Sequence, residues 1–177
     1  MSWTDRTRIE TFHKLRDQFQ IEKFVETGTF KGVGADLFSH YFNEVFTVDN
    51  NIEYLSIASK RLSKRQNVYI YHMDSWNFLK EFADQYLNGT IFYYLDAHFY
   101  DSKLPKEDKW VVVKELQALR GLRNCVIVVD DFNCNGLGHI KYDGESLDWN
   151  VIKKYIVDVN PGFYFYSNTK ETINVFN

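Results

Sequence analysis

Short apolar runs alternate along the chain with longer segments whose apolar residues recur every three or four positions. The runs predict five strands, at residues 23–27, 44–49, 68–73, 91–95 and 125–129. They show little polar alternation, which is typical of parallel strands that are buried on both faces of a sheet. The segments between them have the period of amphipathic helices. The pattern therefore predicts an α/β fold with a parallel sheet.

Six helices are predicted, at residues 4–20, 32–41, 52–65, 76–87, 107–120 and 147–157. Ser75 is expected to cap the fourth helix, because a serine side chain accepts hydrogen bonds from the first turn. Two further apolar runs, 163–166 and 172–176, have a short polar link and predict an antiparallel hairpin. Together these elements predict a doubly wound, mostly parallel seven-stranded sheet with a C-terminal antiparallel hairpin, in one domain of residues 1–177.

A glycine-rich turn follows the first predicted strand. Glu26 ends that strand, and Gly28, Gly32 and Gly34 follow. Glycine lets the backbone turn tightly and approach a ligand closely, and the helix that begins here offers free N–H groups. Such a turn is typical of a nucleotide-type cofactor site. Lys31 lies in the same turn, where it is either solvated or pairs with a carboxylate of the cofactor.

Acidic residues end all five predicted parallel strands. They are Glu26, Asp49, Asp74, Asp96, Asp130 and Asp131. Ligands of open α/β sheets bind beyond the carboxyl ends of the strands. Each acid alone can also be explained as a helix cap or turn residue, for Asp74 equally well, but six acids on one edge repel one another. A polyhydroxyl cofactor, a cationic ligand or a divalent metal would offset that repulsion.

The acids of the second and third strands suggest a nucleoside site. Asp49 lies about 20 residues beyond the glycine turn, a spacing expected of a carboxylate that binds ribose. Asn50 follows it and is assigned to the same site. Asp74 and Ser75 end the third strand, where they are in a position to reach an adenine amino group.

The acids of the fourth and fifth strands suggest a metal site. Asp96, Asp130 and Asp131 follow neighbouring strands, and three converging carboxylates suit Mg²⁺. The alternative is that they only cap helices and loops. His98 lies two residues past Asp96, and its imidazole takes up a proton near neutral pH. It is interpreted as a base, an additional ligand or a structural residue.

Composition narrows the function classes. The net charge is −3 without a long basic run, so bulk nucleic-acid binding is not favoured. The two cysteines, Cys125 and Cys134, form no disulfide framework. A charged N-terminus is unlike a signal peptide, and no apolar stretch approaches the length of a membrane span. We expect a cytoplasmic protein with no membrane partner.

Four segments together resemble class I S-adenosylmethionine-dependent methyltransferases, and within them the macrocin O-methyltransferase-like, metal-dependent branch. The segments are residues 26–32, 48–49, 95–102 and 128–132. The resemblance covers roughly residues 24–132 and implies a Rossmann-like fold. It also implies S-adenosylmethionine as cofactor, Mg²⁺ as a metal, and methylation of a hydroxyl on a small molecule or sugar.

The resemblance assigns roles to individual residues. It implies cofactor binding by Glu26, Thr27, Gly28, Thr29, Gly32, Asp49, Asn50, Asp74, Ser75 and Asp96. It implies metal binding by Asp96, Asp130 and Asp131, and catalysis by His98 and Asp96. His98 stands where that branch often has a second aspartate. Phe30 replaces the middle glycine of the commoner class I pattern, so its side chain is expected to point away from the cofactor.

Two other functions fit the same pattern. One is a non-catalytic cofactor- or partner-binding module on a methyltransferase scaffold. The other is an NAD-dependent oxidoreductase, although the missing middle glycine fits the dinucleotide fingerprint poorly. The single helix within residues 1–22 is predicted to cover the site, and a second subunit is a candidate to complete the acceptor pocket.

Overall fold

The computed structural model describes residues 6–85, 90–97, 103, 105, 109–132, 144–162, 164–166 and 173–176. The helices are Arg6–Phe19 (α1), Val33–Phe38 (α2), Ile52–Leu62 (α3), Ser75–Gln85 (α4), Val111–Ala118 (α5) and Trp149–Val159 (α6). The strands are Lys23–Thr27 (β1), Glu44–Asp49 (β2), Val68–His72 (β3), Ile91–Leu95 (β4), Cys125–Val129 (β5), Tyr164–Tyr166 (β6) and Ile173–Phe176 (β7).

The strands form one sheet in the order β3-β2-β1-β4-β5-β7-β6. Its parallel part consists of the five strands β3, β2, β1, β4 and β5. β7 runs antiparallel to β5, and β6 runs antiparallel to β7. The prediction of a Rossmann-like α/β fold on a parallel sheet is confirmed. The strand order reverses at β1, so the ends of β1, β2 and β4 form the switch point where ligands bind in such sheets.

Helices α2 and α3 end earlier than predicted. α2 spans six residues and stops at Phe38 instead of reaching residue 41. α4 begins at Ser75 itself, and the Asp74 carbonyl accepts the hydrogen bond from the Phe78 N–H at 3.0 Å. Asp74 therefore precedes the helix, and Ser75 is not its cap as predicted. Local sequence signals place helix ends within a few residues, and the hydrogen bonds at the ends decide the rest.

Apolar side chains fill the space on both faces of the sheet. One face packs against α1, α2 and α3, and the other against α4, α5 and α6. Neighbouring strand residues alternate between the two cores, as Phe24 and Val25 do on β1. Both β4 and β5 are buried along their whole length, which confirms the interpretation of unbroken apolar runs.

The N-terminal helix packs on a face of the sheet. Phe12 is 1% exposed, and its ring centroid lies 4.9 Å from that of Phe92 on β4 and 5.2 Å from that of Phe38 on α2. α1 is thus held by aromatic packing in the core. In the described part of the chain, no helix is long and apolar enough to cross a membrane.

Candidate functional site

A cavity of about 850 Å³ lies at the carboxyl ends of β1, β2 and β4. Its walls come from the glycine turn, the start of α3, the start of α4 and the residues after β4. The residues that line it are Glu26, Gly28, Thr29, Phe30, Val33, Gly34, Val48, Asp49, Asn50, Asn51, Tyr54, Ser75, Trp76, Asp96, Ala97 and Val111. Its volume and its position at the switch point are those of a cofactor site.

Most of the residues predicted to bind the cofactor line this cavity. They are Glu26, Gly28, Thr29, Asp49, Asn50, Ser75 and Asp96. None of the described lining residues belongs to α1. The described part of this helix packs on a face of the sheet, and its predicted role as a cover for the site stays a prediction.

The other three predicted residues, Thr27, Gly32 and Asp74, are not among the residues that line the cavity. Thr27 is fully buried, and its hydroxyl accepts a hydrogen bond from the Asp96 N–H at 3.0 Å. A side chain at Gly32 would meet α3, since a Cβ there would lie 3.1 Å from the Ala58 Cβ. Asp74 accepts a hydrogen bond from the Asn50 amide at 3.2 Å. These residues hold lining residues or helix α3 in place.

Gly28 lets β1 pass close to the residues that follow β4. Its φ is +81°, and a Cβ at this position would lie 2.6 Å from the Asp96 carbonyl oxygen. Its N–H donates to the Val48 carbonyl at 2.9 Å, which ties the turn to β2. Only glycine combines this backbone conformation with this close approach.

Glu26 is a buried acid at the end of a chain of hydrogen bonds from two threonine hydroxyls. The Thr47 hydroxyl donates to Glu26 Oε2 at 2.8 Å, and the Thr29 and Thr47 hydroxyl oxygens are also 2.8 Å apart. Burial raises the pKa of Glu26 to about 8, and the negative charges of Asp96 and Asp49 raise it further, while the Thr47 hydrogen bond opposes the shift. A cationic ligand group beside Glu26 would favour its carboxylate form.

Asp49 is positioned by two backbone groups. Its Oδ2 accepts from the Phe30 N–H at 2.8 Å, and its Oδ1 accepts from the Asn51 N–H at 2.9 Å. Asn51 in turn caps α3 by accepting from the N–H groups of Glu53 and Tyr54. Each carboxylate oxygen accepts more than one hydrogen bond. Asp49 therefore keeps the capacity to bind a pair of hydroxyls.

The three predicted metal ligands share a much smaller cavity. Asp96, Asp130 and Asp131 all line a space of about 30 Å³ that adjoins the larger cavity at Asp96. The Tyr94 hydroxyl donates a hydrogen bond to Asp130 Oδ2. Glu115 on α5 is fully buried and lines the same space. The predicted convergence of these acids at neighbouring strand ends is thus present.

The described residues at this convergence do not form a metal site. Among the residues that the structure describes, no group of three or more His, Cys, Asp or Glu side chains is arranged to hold a metal ion. One oxygen of Asp130 is already bonded to Tyr94. Mg²⁺ requires six oxygen ligands, usually with several waters, and a space of about 30 Å³ holds roughly one water molecule. The residues present do not fit Mg²⁺.

His98, the predicted base, lies outside the described residues. Its role stays a prediction.

Several residues that line these cavities were not predicted as site residues from the sequence. Phe30 lines the larger cavity, although it was not among the residues predicted to bind the cofactor. Tyr54 and Trp76 also line it, and each lies in the first turn of a helix that follows a predicted site residue. Glu115 was detectable as the single acid on the apolar face that carries Val112 and Leu116 of α5.

Comparison with known proteins shows which solved structures share this fold. No family model and no curated protein matches the sequence. Three solved structures match almost all of this chain, at TM-scores of 0.55 to 0.61. The methyltransferase domain of bacterial-CtHen1-CN has 12% identity, covering 97% of this chain and 97% of that one, with a TM-score of 0.61. A putative caffeoyl-CoA O-methyltransferase from Staphylococcus aureus has 16% identity, covering 99% and 86%, with a TM-score of 0.60.

The third is magnesium protoporphyrin IX methyltransferase (ChlM) from Synechocystis PCC 6803 with bound SAM, at 12% identity, 95% and 76% coverage and a TM-score of 0.55. At these identities the likeness concerns the fold alone. The class I methyltransferase fold that the motifs implied is thus confirmed. The macrocin-like branch is not, and the acceptors named for these structures differ from one another.

Proposed function

We propose that this chain is an S-adenosylmethionine-dependent methyltransferase. The observation that carries the proposal is the cavity of about 850 Å³ at the switch point, with Glu26, Gly28 and Asp49 among the residues that line it. Two acids in the cavity wall suit a ligand with an ammonium group and a ribose. Because Gly28 has no side chain, the turn can approach the Asp96 backbone closely. The methyltransferase fold supports the same conclusion.

Glu26 and Asp49 would bind different parts of the cofactor. Glu26 would hold the amino group of the methionine part, and Asp49 would accept hydrogen bonds from the ribose hydroxyls. When bound, S-adenosylmethionine supplies a methyl group whose bond to sulfur breaks, with the electron pair staying on sulfur, as the acceptor forms its own bond to carbon. The cavity walls would hold the acceptor in line with that bond, which supplies much of the rate.

We further propose that the acceptor atom is a hydroxyl oxygen of a small molecule or sugar. Such an oxygen must lose its proton as the new bond forms. Asp96 lies where the larger cavity meets the buried acids, so it is a candidate to orient the hydroxyl or take its proton. His98 remains the other candidate base. The non-catalytic alternative is not favoured, because the structural neighbours are named as methyltransferases.

Magnesium assistance stays a hypothesis from the sequence motifs. The described acids do not fit Mg²⁺, and the roles proposed for Glu26, Asp49 and Asp96 do not depend on it. The test is methyl transfer before and after EDTA, with Mg²⁺ added back. Activity that disappears with EDTA and returns with Mg²⁺ would support metal assistance, and unchanged activity would contradict it.

The proposed function is tested first by binding. Calorimetric titration with S-adenosylhomocysteine should show one site, and Asp49→Asn should weaken it roughly tenfold or more, since a charge-assisted hydrogen bond becomes a neutral one. Glu22→Gln, an exposed acid outside the cavity, should leave the affinity unchanged. Transfer of labelled methyl from S-adenosylmethionine to a panel of small hydroxylated acceptors follows. An absence of binding by the wild-type chain would contradict the proposal.

A further inference from the structure

Two aromatic side chains stand at the edge of the cofactor cavity. Phe30 in the glycine turn is 49% exposed and Tyr54 on α3 is 37% exposed, and both line the cavity. Their ring centroids are 4.6 Å apart, with an interplanar angle of 71°. This edge-on pair is called the aromatic rim below. It leaves a large apolar surface in contact with solvent in the unliganded protein.

The backbone at Phe30 is unfavourable for its side chain. Its φ is +47°, in the left-handed region that favours glycine or asparagine. About half of the residue's surface stays exposed (49%), although the ring contacts Tyr54 and lies 5.0 Å from the Lys31 ammonium. A strained and half-exposed phenylalanine is therefore not explained by stability alone. Residues of this kind cluster at ligand sites.

Backbone hydrogen bonds connect Phe30 directly to Asp49, and Tyr54 to Asp49 through Asn51. The Phe30 N–H donates to Asp49 Oδ2 at 2.8 Å. The Tyr54 N–H donates to Asn51 Oδ1 at 3.3 Å, and the Asn51 N–H donates to Asp49 Oδ1 at 2.9 Å. Asp49, the acid that suits ribose hydroxyls, is thus linked by hydrogen bonds to the backbone of both residues of the aromatic rim. A nucleoside bound at Asp49 would lie beside the two rings.

We propose that Phe30 and Tyr54 are positioning residues that hold the nucleoside part of the cofactor against Asp49. This inference rests on the proposed function. Aromatic rings gain free energy by contact with a planar base or with the apolar face of a ribose. The cofactor would cover the exposed rings, and that contact would offset the strain at Phe30.

The experiment replaces the Phe30 ring without disturbing its backbone. Asparagine accepts positive φ, so Phe30→Asn keeps the turn and its N–H donor to Asp49 while removing the ring. Phe30→Trp keeps an aromatic ring. Tyr41→Asn is the matched control, because Tyr41 is a similarly exposed aromatic (42%) outside the cavity. Thermal unfolding of the unliganded proteins shows whether each variant folds.

The readout is the dissociation constant for S-adenosylhomocysteine and the concentration of adenosine that displaces half of it. Phe30→Asn should fold as stably as wild type, yet bind S-adenosylhomocysteine and adenosine about tenfold more weakly, the size expected for loss of one stacking ring. Phe30→Trp and Tyr41→Asn should bind as wild type does. Tyr54→Leu should also weaken both ligands, and the Phe30→Asn/Tyr54→Leu double variant should lose less than the product of the two single losses, because the rings act together.

The outcomes separate this inference from the proposed function. If wild type binds S-adenosylhomocysteine and Phe30→Asn binds it equally well, the inference is wrong and the proposed function stands. If Phe30→Asn weakens S-adenosylhomocysteine but not adenosine, or adenosine does not compete even in wild type, the assignment to the nucleoside is wrong. If wild type binds neither ligand, both proposals fail.

Discussion

At the residue scale, Glu26 combines complete burial with neighbouring negative charge. Burial raises its pKa from 4.5 to about 8, and Asp96 and Asp49 contribute in the same direction. The folded chain therefore binds a proton at Glu26 that the unfolded chain releases between these two pH values. The free energy of unfolding contributed by this group is fully present below about pH 4.5 and is lost as the pH rises through about 8.

We expect Glu26→Gln to flatten the pH dependence of stability. Glutamine keeps the size of the side chain but cannot ionise, so the variant avoids the cost of burying a carboxylate above about pH 8. The difference in pH dependence should be on the order of 5 kcal/mol, because the pKa moves from 4.5 to about 8 at roughly 1.4 kcal/mol per pKa unit. Urea unfolding at acidic and alkaline pH measures it, with the exposed Glu22→Gln as control. Parallel curves for Glu26→Gln and wild type would contradict the prediction.

A second prediction at this scale concerns Gly28, which shares its φ of +81° with Gly121. A Cβ at Gly121 would meet nothing within 4 Å, whereas one at Gly28 would lie 2.6 Å from the Asp96 carbonyl oxygen. Alanine at either position should cost about 1–2 kcal/mol of backbone strain. Gly28→Ala should cost about 1–3 kcal/mol more from the steric clash. Urea unfolding of both variants measures the difference, and equal losses would show that the clash is relieved.

At the scale of one element, β4 presents adjacent tyrosines to the two different cores. Tyr94 belongs to the core beneath α1, α2 and α3, and Tyr93 to the core beneath α4, α5 and α6. The Tyr94 hydroxyl donates to Asp130, whereas the buried Tyr93 hydroxyl has no hydrogen-bond partner among the described residues. One strand thus contains two buried tyrosine hydroxyls, of which one has a hydrogen-bond partner and the other has none among the described residues.

Removing each hydroxyl should have opposite effects on stability. Tyr94→Phe deprives the buried Asp130 of a donor and should cost about 1–3 kcal/mol. Tyr93→Phe removes a buried polar group without a partner and should be neutral or stabilising by up to about 1 kcal/mol. The two variants serve as each other's control in urea unfolding. A large loss for Tyr93→Phe would reveal a partner beyond the described residues.

At the scale of the whole molecule, the cofactor cavity and the α1 layer are separate. α1 contributes Phe12 to the aromatic core and no described residue to the cavity wall. Stability and cofactor affinity should therefore respond independently to changes in this helix.

We expect Phe12→Ala to lower the free energy of unfolding by about 3–5 kcal/mol, because a buried ring leaves a cavity. The affinity for S-adenosylhomocysteine should stay within about twofold of wild type, since the direct cofactor contacts are intact. Phe12→Leu is the milder companion that keeps the chain folded if alanine does not. Thermal unfolding and calorimetry measure the two quantities. If a folded Phe12 variant bound S-adenosylhomocysteine much more weakly, the predicted independence of α1 and the cofactor cavity would be wrong.

The strands were largely determined by the sequence itself. The predicted bounds of β1, β2, β4 and β5 agree with the structure, because an unbroken apolar run flanked by polar residues is a local signal. The acids at the strand ends followed directly, and with them Glu26 and Asp49 in the cavity wall. Helix ends were less accurate, since capping hydrogen bonds decide them.

Only the tertiary structure decided which of these residues share a cavity. Phe30 and Tyr54 line the cavity, whereas Thr27, Gly32 and Asp74 are not among its lining residues. These outcomes depend on the positive φ of the turn and on how α3 docks against it, and neither is encoded in the spacing of apolar residues. The buried Glu115 joins Asp96, Asp130 and Asp131 for the same reason. Patterning along one chain predicts elements, but contacts between elements arise only when their faces pack.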